Sequence, residues 1–384
     1  MNMKKINVLK PKFRTEEILE GIRECLDKGW TGMGFKTTEL EEEWKAYTNL
    51  PHAHFLSSNT VGLHLALNIF KKVDGWEDGD EVITTPLTFV STNHAIKYER
   101  LTPVFADVDE YLCLDPKSVT ERITDKTKAV IFVGVGGNVG QLQSISELCK
   151  SKGIRLILDA AHMSGTYMSR TYFGVAQTIE HVGQLADVTV FSFQAVKNLA
   201  TADSGMICFT DSELDSYARR LSWLGINKDT FSRSTKGSYK WRYDVDDVGF
   251  KYHGNSIMAA IGLVQLRYLE EDNEYRRTIS GWYEKYLSND IKVVPTSPST
   301  IASSRHLFQI RVNNREELLD TFYSNEIYPG VHYIDNTQYA PYSYGYGTCP
   351  NAHQASEELL TLPIHMDITE EDVKRICEIV NSHE

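Results

Sequence analysis

The stretch Arg155-Leu-Ile-Leu-Asp-Ala-Ala-His162 has the pattern of a buried apolar strand that ends in a carboxylate, two small residues and a histidine. On either side of it, apolar runs of strand length alternate with segments of helical periodicity. This alternation predicts an α/β fold with a mostly parallel sheet sandwiched by helices. The predicted strands are residues 53–56, 81–84, 103–106, 128–133, 155–158, 188–193 and 205–209. The predicted helices are residues 16–30, 38–47, 89–98 and 144–152, with another that begins near residue 60.

Beyond residue 252 the pattern indicates a smaller second unit. Apolar residues fall at helical spacing from Ile257 to Tyr268 and predict one long helix that continues toward Tyr286. After it come predicted strands at residues 308–312 and 331–333 and predicted helices at residues 315–324 and 369–380. We place the domain boundary on the long helix, which gives a large domain of residues 1–270 and a small α+β C-terminal domain of residues 271–384.

Composition argues against several classes of protein. The chain has 52 acidic and 40 basic side chains, a formal net charge of −12, and no Lys/Arg run of the kind that binds nucleic acid. No segment has the apolar length of a membrane span, and residues 1–14 lack the apolar core of a secretory signal. The six cysteines are widely spaced without a CxxC pair, which argues against a disulfide framework or a zinc site. We therefore expect a cytoplasmic protein without a metal centre.

Two features match the needs of a phosphate group and a flat ring. Ser58-Asn59-Thr60 directly follows a strand at the predicted start of a helix, where free backbone N–H groups and the helix dipole favour an anion. A simple N-cap is the alternative interpretation. Phe89 follows the next strand end, where parallel-sheet enzymes bind their ligands, although a core phenylalanine would have the same pattern.

Two further features match a ring nitrogen and an aldehyde. Asp159 ends its strand and could keep a pyridine nitrogen protonated, although a helix cap is the alternative, and His162 could bond a ring hydroxyl. Lys197 comes just after a predicted buried strand, whose Ser192 could add a phosphate bond; a solvated loop lysine is the alternative. In this order the four features match the cofactor pyridoxal phosphate.

With these motifs the sequence resembles the sugar aminotransferase family called DegT/DnrJ/EryC1/StrS, within fold type I of the pyridoxal-phosphate enzymes. The resemblance runs nearly end to end and includes residues 31–34, 58–67, 103–108, 159–162, 191–197, 249–252, 259–262, 305–308, 330–333 and 362–365. It implies a homodimer with shared active sites, an amino-acid donor such as L-glutamate, and a nucleotide-linked keto deoxy sugar as acceptor.

The resemblance also implies a role for each site residue. Lys197 would bind the cofactor covalently, Asp159 would pair with the pyridine nitrogen, and His162 would lie near the ring hydroxyl. Phe89 would stack on the ring, and Asn59, Thr60 and Ser192 would hold the phosphate. Lys251 stands at the position from which a partner subunit reaches the cofactor phosphate.

Three departures from the family pattern leave the substrate open. They are Gln194, Ala202-Asp203-Ser204, and the segment Gly134-Val-Gly-Gly137. A small phosphorylated ketone is the alternative acceptor. A polar segment with Arg233, Lys236, Lys240 and Arg242 could meet substrate phosphates, or could be a solvated loop. Lys197 argues against the dehydratase branch, which has histidine at this position.

Two other classes compete with this interpretation. The string Gly134-Val-Gly-Gly-Asn-Val-Gly140 resembles the fingerprint of an NAD(P)-dependent oxidoreductase, but the helix after it starts too late for its glycines. A non-enzymatic regulator or scaffold is the other alternative, and the complete set of cofactor residues argues against it.

Overall fold

The computed structural model describes residues 4–172, 175–226, 243–296 and 301–383. Its centre is a sheet of seven strands: β2 (His54–Leu56), β3 (Glu81–Thr84), β4 (Thr102–Phe105), β5 (Thr127–Val133), β6 (Arg155–Asp159), β9 (Val188–Ser192) and β10 (Gly205–Phe209). They lie in the order β2-β10-β9-β6-β5-β3-β4. Strand β10 runs antiparallel to both neighbours, and the other six strands run in one direction. The predicted α/β class and all seven of these predicted strands are confirmed.

Helices cover both faces of this sheet. They are α1 (Thr15–Asp27), α2 (Phe35–Thr48), α3 (Asn59–Val73), α4 (Val90–Tyr98), α5 (Pro116–Arg122), α6 (Leu142–Lys152) and α7 (Ser212–Ser222). On one face Trp44 of α2 meets Phe191 and Phe193 edge-on, with ring centroids 4.9 and 5.0 Å apart. On the other face α3 approaches closely, since a Cβ on Gly62 would lie 2.5 Å from Val190. Burial on both faces explains why the strands are continuous apolar runs.

The carboxyl ends of the parallel strands meet at one edge of the sheet. Strand β2 leads into α3, β3 leads toward Phe89 and α4, β6 ends at Asp159, and β9 ends five residues before Lys197. This topology brings residues that are far apart in the sequence to one place, which is where open α/β sheets bind ligands.

The C-terminal part has its own core. Helices α8 (Ser256–Arg267) and α9 (Leu269–Tyr286) were predicted as one helix, but Tyr268 separates them. A second sheet consists of β11 (Lys292–Val293), β13 (Phe308–Arg311) and β15 (Leu359–Leu362), in the order β11-β13-β15. Three helices pack around it: α10 (Arg315–Ser324), α11 (Pro350–Glu358) and α12 (Glu370–His383). Strand β1 (Ile6–Asn7) pairs with β14 (Ile327–Tyr328), so the start of the chain packs into this second core. The division at residue 270 falls close to the Tyr268 break and stays a prediction.

Two further parts of the structure differ from the sequence predictions. Residues 331–333 were predicted as a strand, which is wrong: this segment is irregular, because the side chains of His332 and Tyr333 face the cavity described below. A small sheet of β7 (Tyr167–Tyr172), β8 (Val175–His181) and β12 (Ile301–Ala302) was not predicted. Within the described ranges, no helix is long and apolar enough to cross a membrane.

Candidate active site

A cavity of about 450 Å³ opens at the carboxyl edge of the central sheet. Seven of the eight predicted site residues line it: Asn59, Thr60, Phe89, Asp159, His162, Ser192 and Lys197. They come from α3, the loop before α4, the ends of β6 and β9, and the loops after these two strands. The fold therefore gathers this set in one place.

Asp159 is the buried carboxylate of the cavity, with 3 % of its surface exposed. It accepts hydrogen bonds from Thr92 Oγ1 at 2.8 Å, Asn59 Nδ2 at 3.2 Å and the backbone N–H of Ala161 at 3.2 Å. Burial raises the pKa of Asp159, although these donors and nearby Lys197 oppose the shift. Because burial disfavours a carboxylate that has no cationic partner, this position suits a protonated ring nitrogen, which supplies the opposite charge.

Lys197 follows β9 on a tight turn. Its backbone N–H donates to the carbonyl of Gln194 at 2.9 Å, and the Gln194 side chain accepts from Val196 N at 3.1 Å. Burial lowers the pKa of Lys197 to about 8, and Asp159 partly opposes this shift. A lysine with this pKa is partly neutral near pH 7, so its amine can attack a carbonyl carbon.

The first turn of α3 forms an anion cradle. Ser58 caps the helix by accepting from Val61 N at 3.3 Å, and Asn59 and Thr60 then face the cavity. A Cβ on Gly205 of β10 would lie 2.7 Å from Asn59 N, so the glycine lets this turn approach the sheet. Ser192 at the end of β9 adds a hydroxyl to the cavity lining. Such a helix start favours a phosphate.

Phe89 is not a core residue. It is 59 % exposed, precedes α4, and lies on the cavity wall with its ring 6.2 Å from that of Tyr333. An exposed aromatic ring at this place can cover a flat ligand, as predicted for a cofactor ring.

His162 forms hydrogen bonds through both ring nitrogens. Gly136 N donates to its Nδ1 at 3.1 Å, and its Nε2 lies 3.0 Å from Tyr333 Oη. The His306 ring packs against it with centroids 4.3 Å apart. Burial lowers the pKa of His162 well below its ordinary range, so the ring is neutral at physiological pH.

Four residues around the cavity were not identified as site residues from the sequence. Thr92 donates a hydrogen bond to Asp159, and His306, His332 and Tyr333 also line the cavity. The position of Thr92, three residues after Phe89 in the first turn of α4, was an available signal. His306, His332 and Tyr333 belong to two motifs of the family resemblance, residues 305–308 and 330–333, for which the sequence indicated no role.

The glycine string at residues 134–140 is a packing element. Residues Val135–Gly137 form a short 3-10 turn, and α6 begins only at Leu142. Gly136 O accepts from His306 N at 3.0 Å, and a Cβ on Gly137 would lie 2.5 Å from Ser304 Oγ. The glycines therefore let residues 303–306 pack against this turn, which places His306 in the cavity lining, and they do not open a helix as a dinucleotide fingerprint does.

Lys251 lies outside this cavity. Its Nζ sits 3.4 Å from the centroid of the Trp223 ring, and its side chain is exposed. The structure thus does not bring Lys251 together with the other seven residues of the same chain. The basic residues predicted at 233, 236, 240 and 242 lie outside the described residues.

Comparison with known proteins identifies the family. The model of the DegT/DnrJ/EryC1/StrS aminotransferase family matches residues 13–381. The chain belongs to this family. It is 34 % identical over 386 residues to the spore coat polysaccharide biosynthesis protein SpsC of Bacillus subtilis strain 168, covering 96 % of this chain and 95 % of SpsC.

Solved structures agree with this membership. The aminotransferase TlmJ of Streptoalloteichus hindustanus is similar with a TM-score of 0.88 at 31 % identity, over 98 % of both chains. The putative sugar aminotransferase Spr1654 of Streptococcus pneumoniae in its PLP-form has a TM-score of 0.88 at 26 % identity, over 99 % of this chain and 98 % of the other. The chain is therefore a pyridoxal-phosphate-dependent aminotransferase with a fold type I architecture, as predicted.

The residues of this chain fit pyridoxal phosphate. The start of α3 suits the phosphate, the buried Asp159 suits a protonated ring nitrogen, and Lys197 with its lowered pKa suits the carbonyl carbon. Each chemical group of the cofactor thus has a matching residue in one cavity.

Proposed function

We propose that this enzyme moves an amino group from an amino acid, L-glutamate, to the keto group of a nucleotide-linked deoxy sugar. The observation that carries the proposal is the convergence of Lys197, Asp159 and the start of α3 in one cavity. Relatives along the whole chain support a sugar acceptor: SpsC is named for polysaccharide biosynthesis and Spr1654 as a putative sugar aminotransferase. The nucleotide link and L-glutamate come from the family resemblance.

Four residues bind and orient the cofactor in this proposal. Asn59, Thr60 and Ser192 hold the phosphate at the start of α3, and Phe89 covers one face of the ring. When bound, pyridoxal phosphate supplies an electron sink for charge that develops at the substrate carbon. Asp159 maintains that property, because its carboxylate holds a proton on the ring nitrogen.

Lys197 has two roles in this proposal. Its Nζ would anchor the cofactor and, once displaced by the substrate amine, would accept the proton of the donor's α-carbon as a general base and give it back as a general acid. A pKa near 8 suits both directions of transfer, since the amine exists in both protonation states near neutral pH.

A second copy of the chain completes the site. Lys251 lies outside its own chain's cavity, on Trp223 and near exposed apolar residues that favour a contact surface. These are Leu224, Val245 and Val248, which are 44 %, 57 % and 85 % exposed. In the proposed homodimer, Lys251 reaches the cofactor phosphate of the neighbouring subunit.

The departures from the family pattern bear on the acceptor. Gln194 and Asp203 both line the cavity, and burial raises the pKa of Asp203. These side chains stand beside the cofactor residues, where the second substrate enters. They are therefore the first positions to vary when acceptors are compared.

The test begins with the visible absorption spectrum of the purified protein loaded with pyridoxal phosphate. L-glutamate should bleach the band, and Lys197→Ala should abolish it from the start. The bleached enzyme is then mixed with nucleotide-linked keto deoxy sugars or with dihydroxyacetone phosphate. Return of the band with the sugars supports the proposal. Return with dihydroxyacetone phosphate alone would show that the acceptor is a small phosphorylated ketone and not a sugar. A protein that never shows the band would contradict the assigned chemistry.

A further inference from the structure

Asn336 belongs to the C-terminal part of the chain but bonds the loop that leads to Phe89. It is buried at the start of the short 3-10 turn Asn336–Gln338. Its Nδ2 donates to the carbonyl of Thr88 at 2.8 Å, and its backbone N–H donates to the carbonyl of Pro86 at 2.8 Å. One residue therefore fixes two carbonyl groups of the loop between β3 and α4.

A second buried amide locks Asn336 in this orientation. Asn93 of α4 donates through its Nδ2 to Asn336 Oδ1 at 3.0 Å and to the carbonyl of Thr85 at 3.2 Å. Asn93 Oδ1 in turn accepts from Thr84 Oγ1 at 3.0 Å. Because the donors and acceptors of the two amides are matched in this way, Asn336 has one orientation, with its side-chain N–H groups toward Thr88.

Thr88 starts a relay of two hydroxyl groups that ends at Asp159. The Oγ1 atoms of Thr88 and Thr92 are 3.0 Å apart, and Thr92 Oγ1 donates to Asp159 Oδ2 at 2.8 Å. A hydroxyl group has one proton, so Thr92 cannot also donate to Thr88. The Thr88 hydroxyl is therefore the donor in the bond between the two threonines.

This direction of donation determines where the proton of Thr92 points. Both threonines are buried. Because Thr88 donates to Thr92 Oγ1, the Thr92 proton points to another acceptor, which is Asp159 Oδ2. The donation also polarises the Thr92 hydroxyl and strengthens its own bond to the carboxylate. Asn336 contributes at one remove, because it fixes the backbone of Thr88 through the carbonyl group.

The hydrogen bond from Thr92 opposes the effect of burial on Asp159. Burial favours the neutral carboxyl form and raises the pKa of Asp159, and among the groups that lower this pKa the Thr92 hydroxyl has the largest effect. A hydrogen bond to the charged form makes a carboxylate less basic. When a carboxylate and a pyridine nitrogen share a proton, the less basic carboxylate leaves that proton on the nitrogen. The donors to Asp159 thus influence which atom carries it.

We propose that Asn336 and Thr88 are positioning residues that keep the shared proton on the ring nitrogen of the cofactor, and that they act through Thr92 and Asp159. This inference rests on the proposed function, in which Asp159 pairs with that nitrogen. It adds a contribution from the C-terminal part of the chain, since Asn336 does not itself line the cavity.

Nitrogen-15 NMR tests this inference without relying on turnover. The enzyme is loaded with pyridoxal phosphate labelled at the ring nitrogen, and the chemical shift reports whether the proton lies on that nitrogen or on Asp159. In Thr92→Val the carboxylate loses the donor to Oδ2, so the ratio of nitrogen-bound to oxygen-bound proton should fall about tenfold. In Thr88→Val the Thr92 hydroxyl remains but is no longer oriented, so the same ratio should fall about threefold.

The other variants separate positioning through Thr88 from a general effect on the fold. Asn336→Ala should move the nitrogen signal in the same direction, and combining it with Thr88→Val should add little, because both act through one hydroxyl group. Thr88→Ser keeps the hydroxyl and should retain the wild-type signal. Thr85→Val is the matched control: it removes another buried hydroxyl of the same loop, which accepts from Leu87 N at 3.0 Å, and should leave the signal unchanged. An unchanged signal in Thr88→Val, or an equal shift in Thr85→Val, would overturn the inference.

The failure of this inference differs from failure of the proposed function. A wild-type protein with a Lys197-dependent visible band and a protonated ring nitrogen, whose signal is identical in Thr88→Val, retains the function and loses the inference. A wild-type protein without such a band loses both. If Asn336→Ala does not fold, Thr88→Val decides alone, because valine keeps the carbonyl group to which Asn336 donates.

Discussion

Asn59 donates a hydrogen bond of 3.2 Å to the carboxylate of Asp159, which joins the first turn of α3 to the end of β6. The same amide donates to the carbonyl of Val190 on β9 at 3.0 Å. One side chain therefore links the proposed phosphate cradle to the carboxylate that would hold the ring nitrogen. Thr92 adds a bond from α4 and Ala161 N adds one from the backbone after β6, so three donors fix the carboxylate before a ligand binds.

Replacing Asp159 by Asn should lower the rate constant of the half-reaction with L-glutamate at least about a hundredfold while the cofactor stays attached. An amide cannot hold a proton on the ring nitrogen, but it has the same shape as the carboxylate. The measurement is the rate at which L-glutamate bleaches the visible band in a single turnover. Thr92→Val is the matched control: it keeps the carboxylate, removes one hydrogen bond, and should cost about tenfold. A rate in Asp159→Asn within about twofold of wild type would contradict the proposed role.

The attachment of the cofactor should depend on the ionisation of Lys197. Burial lowers its pKa to about 8, and the neutral amine is the attacking form. When pyridoxal phosphate is added to cofactor-free enzyme, the rate at which the visible band forms should rise with pH, with a midpoint near 8. Stopped-flow absorption between pH 6 and pH 10 measures it. A midpoint near the ordinary lysine value would show that the amine is solvated.

The central sheet was predictable because its strands are buried on both faces. Each strand then stands out as a continuous apolar run, as at Arg155–Asp159 and Val188–Ser192. The break at Tyr268 was not predictable, because apolar spacing continues through it. Residues 331–333 have strand-like composition but face a cavity, which depends on tertiary packing and not on local pattern.

The site residues also divide into those that local sequence pattern predicts and those that tertiary packing positions. Asn59, Asp159 and Lys197 stand at or just after strand ends, so parallel topology alone brings them together. Tyr333 and His306 come from segments that fold over the sheet from the C-terminal part. Their positions depend on tertiary contacts, such as the hydrogen bond from His306 N to Gly136 O. The spacing of residues in the sequence does not predict such contacts.

Glu41 anchors β2, the strand that leads to the phosphate cradle. Its carboxylate is buried and accepts from Phe55 N at 2.8 Å and Arg219 Nη1 at 2.8 Å, with His54 Nδ1 at 3.0 Å. Burial alone would raise the pKa of Glu41, but these partners outweigh it and the pKa is lowered. Glu41 thus stabilises the folded state above its unfolded pKa, and this contribution is lost as pH falls through the folded pKa.

Glu41→Gln should lower the free energy of unfolding by about 2 kcal/mol at pH 7, because the bonds from Phe55 N, His54 and Arg219 lose a charged acceptor, although Arg219 keeps its ion pair with Asp215. Urea denaturation of the cofactor-free protein measures this, and the difference from wild type should shrink as the pH is lowered below about 4.5. Glu42→Gln is the control on the same helix: Glu42 is an exposed partner of Lys45, and its loss should cost less than about 1 kcal/mol. Equal decreases in the free energy of unfolding in both variants would show that the hydrogen bonds of buried Glu41 add no stability.

Mixing Lys197→Ala with Lys251→Ala, at a pyridoxal phosphate concentration too low to load Lys251→Ala alone, tests whether the active sites are shared. Lys197→Ala removes the anchor from its own cavity, and Lys251→Ala removes the group proposed to reach the neighbouring cavity. In a dimer with one subunit of each kind, one cavity lacks both lysines and the other has both. Since random assortment makes half of the dimers mixed, co-refolding equal amounts should restore about a quarter of the wild-type activity.

Cofactor affinity provides the readout for Lys251 alone. Lys251→Ala should weaken binding of pyridoxal phosphate about tenfold or more and leave binding of pyridoxal, which lacks the phosphate, unchanged. Its side chain rests on Trp223 at the surface, so its removal leaves the cores intact. Lys285→Ala, an exposed lysine on α9, is the matched control and should change neither affinity. If the mixed variants regain no activity while Lys251→Ala alone is impaired, Lys251 acts within its own chain and the shared site is wrong.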